Sequence, residues 1–345
     1  MFYQCPKCKN IWNYPLRLCL NCFLPLKKIP SNKEKVRSIC KVNIPTILHP
    51  KVSYFVLLLE DENGNKWVQK SFKERKIGEE ISPKKASKKE SDVVILRIRY
   101  DILEGIERIF KILEVKIDDL KKVLILPSLT SPSHPHLREN ISPQWLEILI
   151  KFLLENGLKK DNIKVGGQSF NFSLEEILKK SKILDVCQKL DVEFLDFSKR
   201  DFKKKEINEK IFEISKDVLS SSLIINLPIL KIGKVSGLEN IFSILKKDNY
   251  FSLKYLFSDK EIFKNLRDFL PPILTIAQGD YVQTKNKFVV YLNLILGSFD
   301  LLNVERVFFE IVSQKEIPEA LMEIKLENVK IIGREIEEVK MPQFF

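Results

Sequence analysis

Short apolar runs alternate with longer segments of helical periodicity over most of the chain after residue 92. Residues 102–113, a stretch from Pro143 to Gly157, a stretch beginning at Ser173 and residues 300–313 have helical spacing. The apolar runs predicted as strands are residues 93–100, 123–126, 163–165, 192–197, 223–227, 273–277 and 292–296. This alternation predicts an α/β domain with a mostly parallel sheet. Residues 322–332 are predicted to form an edge strand or a hairpin.

Residues 218–242 form the stretch around which we expect this domain to be organised. An apolar strand over residues 222–227 is followed by Pro228, a basic loop, Gly237 and an amphipathic segment. In α/β folds a central strand delivers its carboxyl end to a loop and a helix, and binding sites lie there. We therefore expect a site directly after residue 227.

The first part of the chain has a different pattern, with three strand-like runs at residues 36–47, 52–60 and 66–72. Asn63 and Gly64 mark a hairpin turn between the last two runs. Lys76-Ile77-Gly78 predicts a turn into a short closing strand. Residues 31–82 are thus predicted to form a small closed β-barrel of the oligonucleotide/oligosaccharide-binding type. Residues 83–91 lack large apolar side chains and are predicted to be a basic linker to an α/β domain at residues 92–345.

Four cysteines within residues 1–30 have the spacing of a metal site. They form two CxxC pairs separated by ten residues, namely Cys5, Cys8, Cys19 and Cys22. Two such knuckles on a small β-ribbon close a tetrahedral thiolate site, so a zinc ribbon with structural Zn²⁺ is predicted. A redox role for one CxxC pair and an iron centre on the same thiolates are alternatives. Cys40 and Cys187 stand singly in apolar surroundings and are expected to be packed rather than reactive.

Residues 3–81 resemble the domain of unknown function 35 family, in which a zinc ribbon precedes such a barrel. The resemblance rests on the four cysteines, on residues 50–60 with the Asn-Gly hairpin, and on Lys76-Ile77-Gly78. Members of that family are accessory subunits of acyl-coenzyme A enzymes. The resemblance therefore implies an acyl-coenzyme A enzyme as a partner.

Charge is concentrated at the front of the 345-residue chain. The net charge is +12, and residues 1–90 contain 19 Lys+Arg against 8 Asp+Glu. A polyanion partner, either nucleic acid or the phosphates of a coenzyme, is one interpretation, and a lysine-rich exposed module is the other. Aromatic residues that could stack bases, or instead belong to the core, are interleaved with basic residues: Tyr54, Phe55, Trp67 and Phe72 among Lys51, Lys66, Lys70, Lys73 and Arg75. Without a signal peptide or an apolar run long enough for a membrane span, we expect a cytoplasmic protein with no membrane partner.

Polar residues cluster in the loop after Leu126, downstream of a predicted strand. They are Ser128, Thr130, Ser131, Ser133, His134, His136 and Arg138. We hypothesise that this loop, Lys231 and Asn240 converge on one pocket for an anionic or phosphorylated ligand. His134, His136 and Lys231 are its candidate catalytic residues, whereas Ser128, Thr130, Arg138, Lys231 and Asn240 are its candidate ligand-binding residues. The alternative is a proline-rich surface loop with incidental histidines.

Three further features allow two interpretations each. Residues 166–169 could offer backbone N–H groups to an anion or form a tight turn. Asp280 and Asp300 could be carboxylates of the pocket or helix caps. Sequences typical of phosphate-binding loops, serine hydrolases, zinc proteases and Cys–His nucleophiles are missing.

Residues 93–313 resemble the domain of unknown function 362 family, which is distantly related to the lactate racemase N-terminal domain. The matching positions are residues 123–133, Gly157 with the following strand, residues 223–231, residues 237–240 and residues 298–300. The chain departs from the family at residues 126–128 and 228–233, at Glu239, where a lysine is common, and at Glu305, where an aspartate is common. These departures favour a binding or scaffold role.

The leading functional hypothesis is recognition of an anionic or acyl-coenzyme A small molecule by the α/β domain. The protein would act as an enzyme or an accessory subunit, and the front module would dock a ligand or partner. The alternatives are a nucleic-acid-binding protein that uses the basic front module and a structural adaptor with a degenerate pocket.

Overall fold

A computed structural model describes residues 2–12, 16, 18–29, 34–44, 53–62, 64–71, 73–81, 92–98, 101–207, 210–284, 286 and 288–341. These residues form two compact units, one built mainly from residues 2–81 and one mainly from residues 92–341. The predicted linker at residues 83–91 lies outside the described residues, as do Lys51 and Phe72.

The first unit consists of two antiparallel sheets. Its strands are β1 (Phe2–Gln4), β2 (Ile11–Trp12), β3 (Lys27–Ile29), β4 (Glu34–Val42), β5 (Tyr54–Asp61), β6 (Lys66–Ser71) and β7 (Glu80–Ile81). The small sheet has the order β2-β1-β3 and the larger one the order β6-β5-β4-β7. The predicted hairpin joins β5 and β6, where Gly64 has a φ of 80° and Asn65 N donates to Asp61 Oδ1 at 2.8 Å. The closed barrel stays a prediction, because the described strands form an open series from β6 to β7.

Few side chains form the apolar core of the first unit. Leu57 and Leu59 lie on one face of β5, since alternate residues of a strand share a face, and they pack with Val36 of β4. Ile39, Phe55 and Trp67 are partly buried against this cluster. The described part of this unit therefore buries little apolar surface.

The second unit is a large mixed sheet covered by helices. Its strands are β8 (Val93–Arg97), β9 (Val123–Pro127), β10 (Ile163–Gly167), β11 (Glu193–Asp196), β12 (Phe202–Ile207), β13 (Lys210–Ser215), β14 (Leu223–Leu227), β15 (Ile229–Lys231), β16 (Ile273–Gln283), β17 (Val289–Ser298) and β18 (Ile331–Gly333). Its α-helices are α1 (Ile102–Ile112), α2 (Pro143–Glu155), α3 (Leu174–Ser181), α4 (Ile183–Lys189), α5 (Lys216–Leu219), α6 (Ser236–Phe242), α7 (Lys247–Leu256), α8 (Asp259–Arg267), α9 (Leu301–Ile311), α10 (Glu319–Met322) and α11 (Ile336–Val339). Single 3₁₀ turns lie at Ile117–Asp119, Pro135–Leu137, Lys160–Asn162, Phe197–Lys199 and Leu326–Asn328.

The sheet has the order β11-β10-β9-β14-β16-β17-β8-β18, and β15 pairs with β16 beyond the end of β14. Five neighbouring strands are parallel to one another, namely β11, β10, β9, β14 and β16. Strand β17 is antiparallel to both of its neighbours, and β18 is parallel to β8. Strands β12 and β13 form a separate antiparallel pair. The predicted α/β architecture with a mostly parallel sheet is confirmed. Strand β14 lies between β9 and β16, so residues 218–242 do place a central strand before a loop and helix α6.

Alternation along the central strands separates two cores. Ile125 and Ile225 face one core together with Trp145 of α2, whereas Leu124 and Ile224 face the other together with α6 and α8. A third apolar cluster lies between α9 and the strands β8, β16 and β17. Because both faces are covered, β9 and β14 are apolar at nearly every position.

Three parts of the prediction differ from the structure. Cys40 is exposed on β4 instead of packed, whereas Cys187 is buried as predicted. Of residues 322–332, only Ile331 and Ile332 belong to a strand, the edge strand β18, because a 3₁₀ turn occupies Leu326–Asn328. The hairpin β12–β13 was not predicted, because Lys203, Lys204 and Lys205 are consecutive and hide the alternation of a strand.

No helix in the described part of the chain is long and apolar enough to cross a bilayer.

Candidate functional site

The four N-terminal cysteines lie together in the first unit. Their Sγ atoms are all within 4.8 Å of one another, and Cys8 Sγ lies 3.6 Å from Cys19 Sγ. The two CxxC knuckles repeat one geometry, since Cys8 N donates to Cys5 Sγ at 3.5 Å and Cys22 N donates to Cys19 Sγ at 3.3 Å. A tetrahedral site with metal–sulfur bonds of about 2.3 Å requires sulfur separations of ~3.8 Å. The four thiols therefore fit a metal ion, whose identity their geometry leaves open.

Burial and hydrogen bonds give these thiols different pKa values. Burial opposes ionisation of Cys5, but hydrogen bonds from the backbone of Cys8 and Lys7 outweigh it and lower the pKa of Cys5 to about 6. The Cys8 thiol, followed by burial, raises the pKa of Cys22 to about 12. Four thiolates this close repel one another, and a bound cation removes the repulsion.

The aromatic and basic residues of the larger front sheet contact one another. Lys70 Nζ lies 4.2 Å from the centre of the Tyr54 ring, and Lys41 Nζ lies 6.0 Å from that of Phe55. Tyr54 is buried, and Phe55 and Trp67 are partly buried against the core. These contacts match the interpretation of the aromatics as core residues covered by lysine side chains more closely than that of a stacking surface.

At the carboxyl edge of the second unit's sheet, Ser128 and Asn240 contact each other directly. Ser128 follows β9 and its Oγ donates to Asn240 Oδ1 of α6 at 3.0 Å, while Ile229 N donates to Ser128 Oγ at 3.1 Å. Asn240 Nδ2 donates to Leu126 O at 3.3 Å. Both side chains are buried, so they join β9, β15 and α6 and have no exposed face.

This contact continues into a buried polar chain behind α6. Asn240 Nδ2 also donates to Asn226 Oδ1 at 3.1 Å, and Asn226 Nδ2 donates to Gly237 O at 3.2 Å. Gly237 N in turn donates to Glu305 Oε1 of α9 at 2.6 Å. A Cβ on Gly237 would lie 2.1 Å from Leu301 Cδ1, so only glycine fits between α6 and α9 here.

Lys231 is the buried cation of this edge. It ends β15, and its Nζ donates to Thr130 Oγ1 at 3.0 Å and to Glu139 O at 2.7 Å. The residue is 5% exposed, and burial is the main reason why the pKa of its amine falls to about 8. Within the described structure, no carboxylate oxygen lies within ion-pair distance of Nζ.

Asn140 and Glu139 order the loop that faces Lys231. Asn140 Oδ1 accepts from Thr130 N at 2.8 Å, and Asn140 Nδ2 donates to Ser131 O at 2.8 Å and to Ser133 Oγ at 3.1 Å. Ser131 Oγ donates to the Glu139 carboxylate. The hydroxyls of Ser131 and Ser133 are therefore used inside the loop.

The histidines and Arg138 lie at the outer side of the same loop. His134 and His136 are exposed, with ring centres 4.7 Å apart, and Lys231 contacts Thr130 and Glu139 instead of either imidazole. Arg138 has a φ of 54° and stacks its guanidinium 4.4 Å from the centre of the Tyr281 ring. The structure thus joins Ser128 with Asn240 and Thr130 with Lys231, and it leaves the two histidines outside these contacts.

The geometry narrows the interpretation of three further features. Gly166 and Gly167 are the last residues of β10, and a Cβ on Gly166 would be 2.7 Å from Phe197 Cζ. Gln168 and Ser169 follow the strand, and Ser169 Oγ accepts from Phe172 N at 3.2 Å in a local turn, so anion binding there stays a prediction. Asp300 is the N-cap of α9 and accepts from Asn303 N at 3.1 Å. Asp280 lies within β16 and is not a helix cap, and Trp145 Nε1 donates to its Oδ2 at 3.2 Å. Its role as a carboxylate of the pocket stays a prediction.

The sequence did not single out Asn226 or Asn140, although each leaves a signal. Asn226 is the one polar residue in the apolar run of β14, and a buried polar side chain at the end of a central strand needs a partner. Asn140 precedes the Ser142-Pro143 helix start, where a loop must be closed. In both cases the partner, and hence the role, depended on the fold.

The model of one protein family, described as a domain of unknown function (DUF362), matches residues 123–310. This range includes β9, β14, Lys231, α6 and most of α9. No curated protein matches the chain.

Proposed function

The chain belongs to the DUF362 family, whose description names no activity. We therefore propose a function on the basis of the contacts and charges around Lys231. The α/β unit binds an anionic small molecule at the carboxyl edge of its sheet, and Lys231 holds the anionic group. This placement agrees with the general position of ligands in open α/β sheets, where they bind beyond the carboxyl ends of the strands.

The buried amine of Lys231 carries this proposal. An ammonium group has three hydrogens, and two are directed at Thr130 Oγ1 and Glu139 O, both neutral acceptors. A buried cation without an ion-paired carboxylate is costly, because little water reaches it. Glu239 and Glu139 favour the charged amine from a distance, but burial outweighs them and lowers its pKa. An anionic ligand that accepts the third hydrogen would repay that cost.

Arg138 and Thr130 extend the same proposal. The Arg138 guanidinium is stacked on Tyr281, and its planar donors suit a phosphate or carboxylate. Ser128 and Asn240 act indirectly, since they tie the loop and α6 to the strand ends. A phosphate-bearing ligand of the acyl-coenzyme A type is the finer form of the proposal, with His134 and His136 as the nearest candidates for acid–base work if the protein is an enzyme.

The front module takes a supporting role in this proposal. We infer that Cys5, Cys8, Cys19 and Cys22 hold a structural Zn²⁺, because all four positions of a tetrahedron have protein ligands and none is open for substrate. The zinc ribbon with its barrel would dock a partner such as an acyl-coenzyme A enzyme.

Titration calorimetry on the full chain with inorganic phosphate, pyrophosphate and coenzyme A tests the anion site. We expect Lys231→Met to weaken binding by about tenfold or more, because a hydrogen bond to a charged group contributes roughly 1.5–3 kcal/mol. Lys231→Arg should keep part of the affinity. Lys234→Met, an exposed lysine three residues further on, is the matched control and should bind as the unchanged protein does.

Equal affinities of the Lys231→Met variant and the unchanged protein would refute the site. Binding of coenzyme A but not of phosphate or pyrophosphate would support the acyl-coenzyme A form. Binding of all three with similar affinity would limit the proposal to small anions.

Nucleic acid is the second candidate, favoured by the basic charge of residues 1–90. Binding of single-stranded DNA or RNA through that charge should weaken steeply with salt, because phosphate contacts release counterions. If no binding is detected at low salt, this alternative fails while the anion site stays untouched.

A further inference from the structure

Glu305 is a carboxyl group sealed between α6 and α9. It is 0% exposed, its Oε1 accepts from Gly237 N at 2.6 Å, and its Oε2 has no hydrogen-bond partner among the described residues. Two other buried oxygens without such a partner, Ser236 Oγ and Thr275 Oγ1, belong to the segments that surround it. Ser236 precedes Gly237 in α6, and Thr275 lies in register with Asn226 in the neighbouring strand.

The charged groups around Glu305 do not compensate a negative charge there. From α6 the charge that acts on it is Glu239, which has the same sign. On α9 itself Arg306 pairs with Glu310, and at the start of that helix Asp300 pairs with Arg267 of α8. The parts of β16 and β17 that α9 covers, residues 273–279 and 292–298, contain no charged residue.

A carboxylate in this position would be an unpaired buried charge. Its desolvation costs several kcal/mol, which one backbone N–H group does not offset, so a buried carboxyl group normally keeps its proton. In agreement, burial raises the pKa of Glu305 to about 8, although the hydrogen bond from Gly237 lowers it in part.

We propose that Glu305 is held in the folded protein as a neutral, protonated acid and that it positions α6 against α9. One oxygen accepts from the first turn of α6, while the other carries the proton. Gly237 transmits this contact, because its carbonyl accepts from Asn226 and its Cα has no room for a side chain. The protonation state does not depend on the proposed function; only the consequence for anion binding, through Asn240 and Ser128, rests on it.

Infrared spectroscopy of the full chain tests the protonation directly, because a protonated carboxyl absorbs apart from a carboxylate. We expect a protonated-carboxyl band at pH 7 that disappears as the pH rises through about 8. Glu305→Gln should remove it. Glu338→Gln is the matched control, since burial also raises the pKa of the Glu338 carboxyl, and this variant should retain the Glu305 band.

Thermal unfolding of two Glu305 variants tests the positioning role. Glu305→Gln keeps an acceptor for Gly237 N and stays neutral, so it should unfold at or above the midpoint of the unchanged protein at pH 8. Glu305→Ala leaves Gly237 N without an acceptor and opens a cavity, so its midpoint should fall clearly. Rescue by glutamine but not by alanine is the expected signature of a neutral hydrogen-bonding group.

Two results would overturn the inference. One is a protonated-carboxyl region of the spectrum at pH 7 that is the same for the unchanged protein and for Glu305→Gln, which would mean that the carboxyl is ionised. The other is a loss of stability in Glu305→Gln as large as in Glu305→Ala. The infrared band and the rescue by glutamine could be observed while neither the unchanged protein nor any variant binds phosphate, pyrophosphate or coenzyme A. That combination would refute the proposed anion site and support the protonated state of Glu305.

Discussion

Each of the two units of this chain is stabilised internally in a different way. In the first, the described apolar cluster consists of Val36, Leu57 and Leu59 with three partly buried neighbours, beside four clustered thiols. In the second, three extensive apolar clusters cover both faces of one sheet. Fully burying one aliphatic side chain contributes about 1.5–3 kcal/mol, so the first cluster offers little against the entropy of ordering its strands. We therefore expect the first unit to depend on the metal ion that its four thiols can hold, whereas the larger unit is stabilised by its core.

Metal removal should separate the two units most strongly. Zinc in small four-ligand sites contributes about 10–16 kcal/mol of apparent free energy, because the site forms only on folding. We expect a chelator, or Cys5→Ser, to abolish amide protection in the four-cysteine region while β9, β14 and β16 stay protected in hydrogen exchange. Cys40→Ser, an exposed cysteine outside the cluster, is the control and should change neither unit. Unchanged amide protection near the cysteines after metal removal would show that the first unit does not need a metal ion to stay folded.

The pH dependence of stability should differ in the second unit because of Lys231. Its pKa is about 8 in the folded protein and 10.5 as the ordinary value, so between these values the unfolded chain binds more protons. Titration of Lys231 should therefore add on the order of 3 kcal/mol to the free energy of unfolding as the pH increases from about 8 to 10.5. Burial raises the pKa of Cys187 from 9.0 and that of Tyr250 from 10.0, each to about 12, so these two groups oppose the rise above pH 9 and pH 10. Urea unfolding of the α/β unit at several pH values measures this rise.

Lys231→Met provides the comparison for that measurement. It lacks the titrating amine, so its unfolding free energy should lose the rise above pH 8. Lys234→Met should retain most of the rise, because burial lowers the pKa of Lys231 more than the charge of Lys234 does. A rise of the same size in Lys231→Met would assign the pH dependence to other groups.

The smallest expected effect concerns packing between α6 and α9. Gly237→Ala would bring a Cβ to 2.1 Å from Leu301 Cδ1 and 3.0 Å from Glu305 Oε1, so the buried Leu301 side chain or the helices must shift. We expect a loss of about 1–3 kcal/mol in denaturant unfolding, as for other overpacked cores. Gly167→Ala is the control, because its nearest contact would be an ordinary 3.4 Å to Leu129 Cδ1. Equal stability of the two variants would show that the core of the second unit adapts more freely than its burial implies.

Much of the second unit could be predicted from its sequence because local pattern and tertiary position agree there. The apolar run ending at Leu227 has the length and composition of a buried parallel strand, and parallel strands bring their carboxyl ends to one edge. For this reason the contacts between Ser128 and Asn240 and between Thr130 and Lys231 follow from strand order. Strand order does not determine the direction of each side chain within the loop after β9. For this reason the exposure of His134 and His136 could not be predicted.

Other features could not be predicted because they depend on distant packing. Glu305 lies in an amphipathic helix like any surface glutamate, and its burial arises only when Gly237 lets α6 approach α9. Lys203, Lys204 and Lys205 form a strand because β13 pairs with them in register, against their local pattern. Tertiary pairing decides such cases.

The two walls of the carboxyl edge differ in stiffness. Lys231 is held by the backbone pairing of β15 with β16, and β16 continues beyond β14 as a ladder with β17. Its partners Thr130 and Glu139 lie on a connecting segment, which Gln283 also contacts at Leu137 O. A ligand that bound the Lys231 amine as proposed would have to replace its hydrogen bonds to this segment, to Thr130 Oγ1 and Glu139 O. The same amine would then fasten the segment to the strands whenever the proposed ligand is absent.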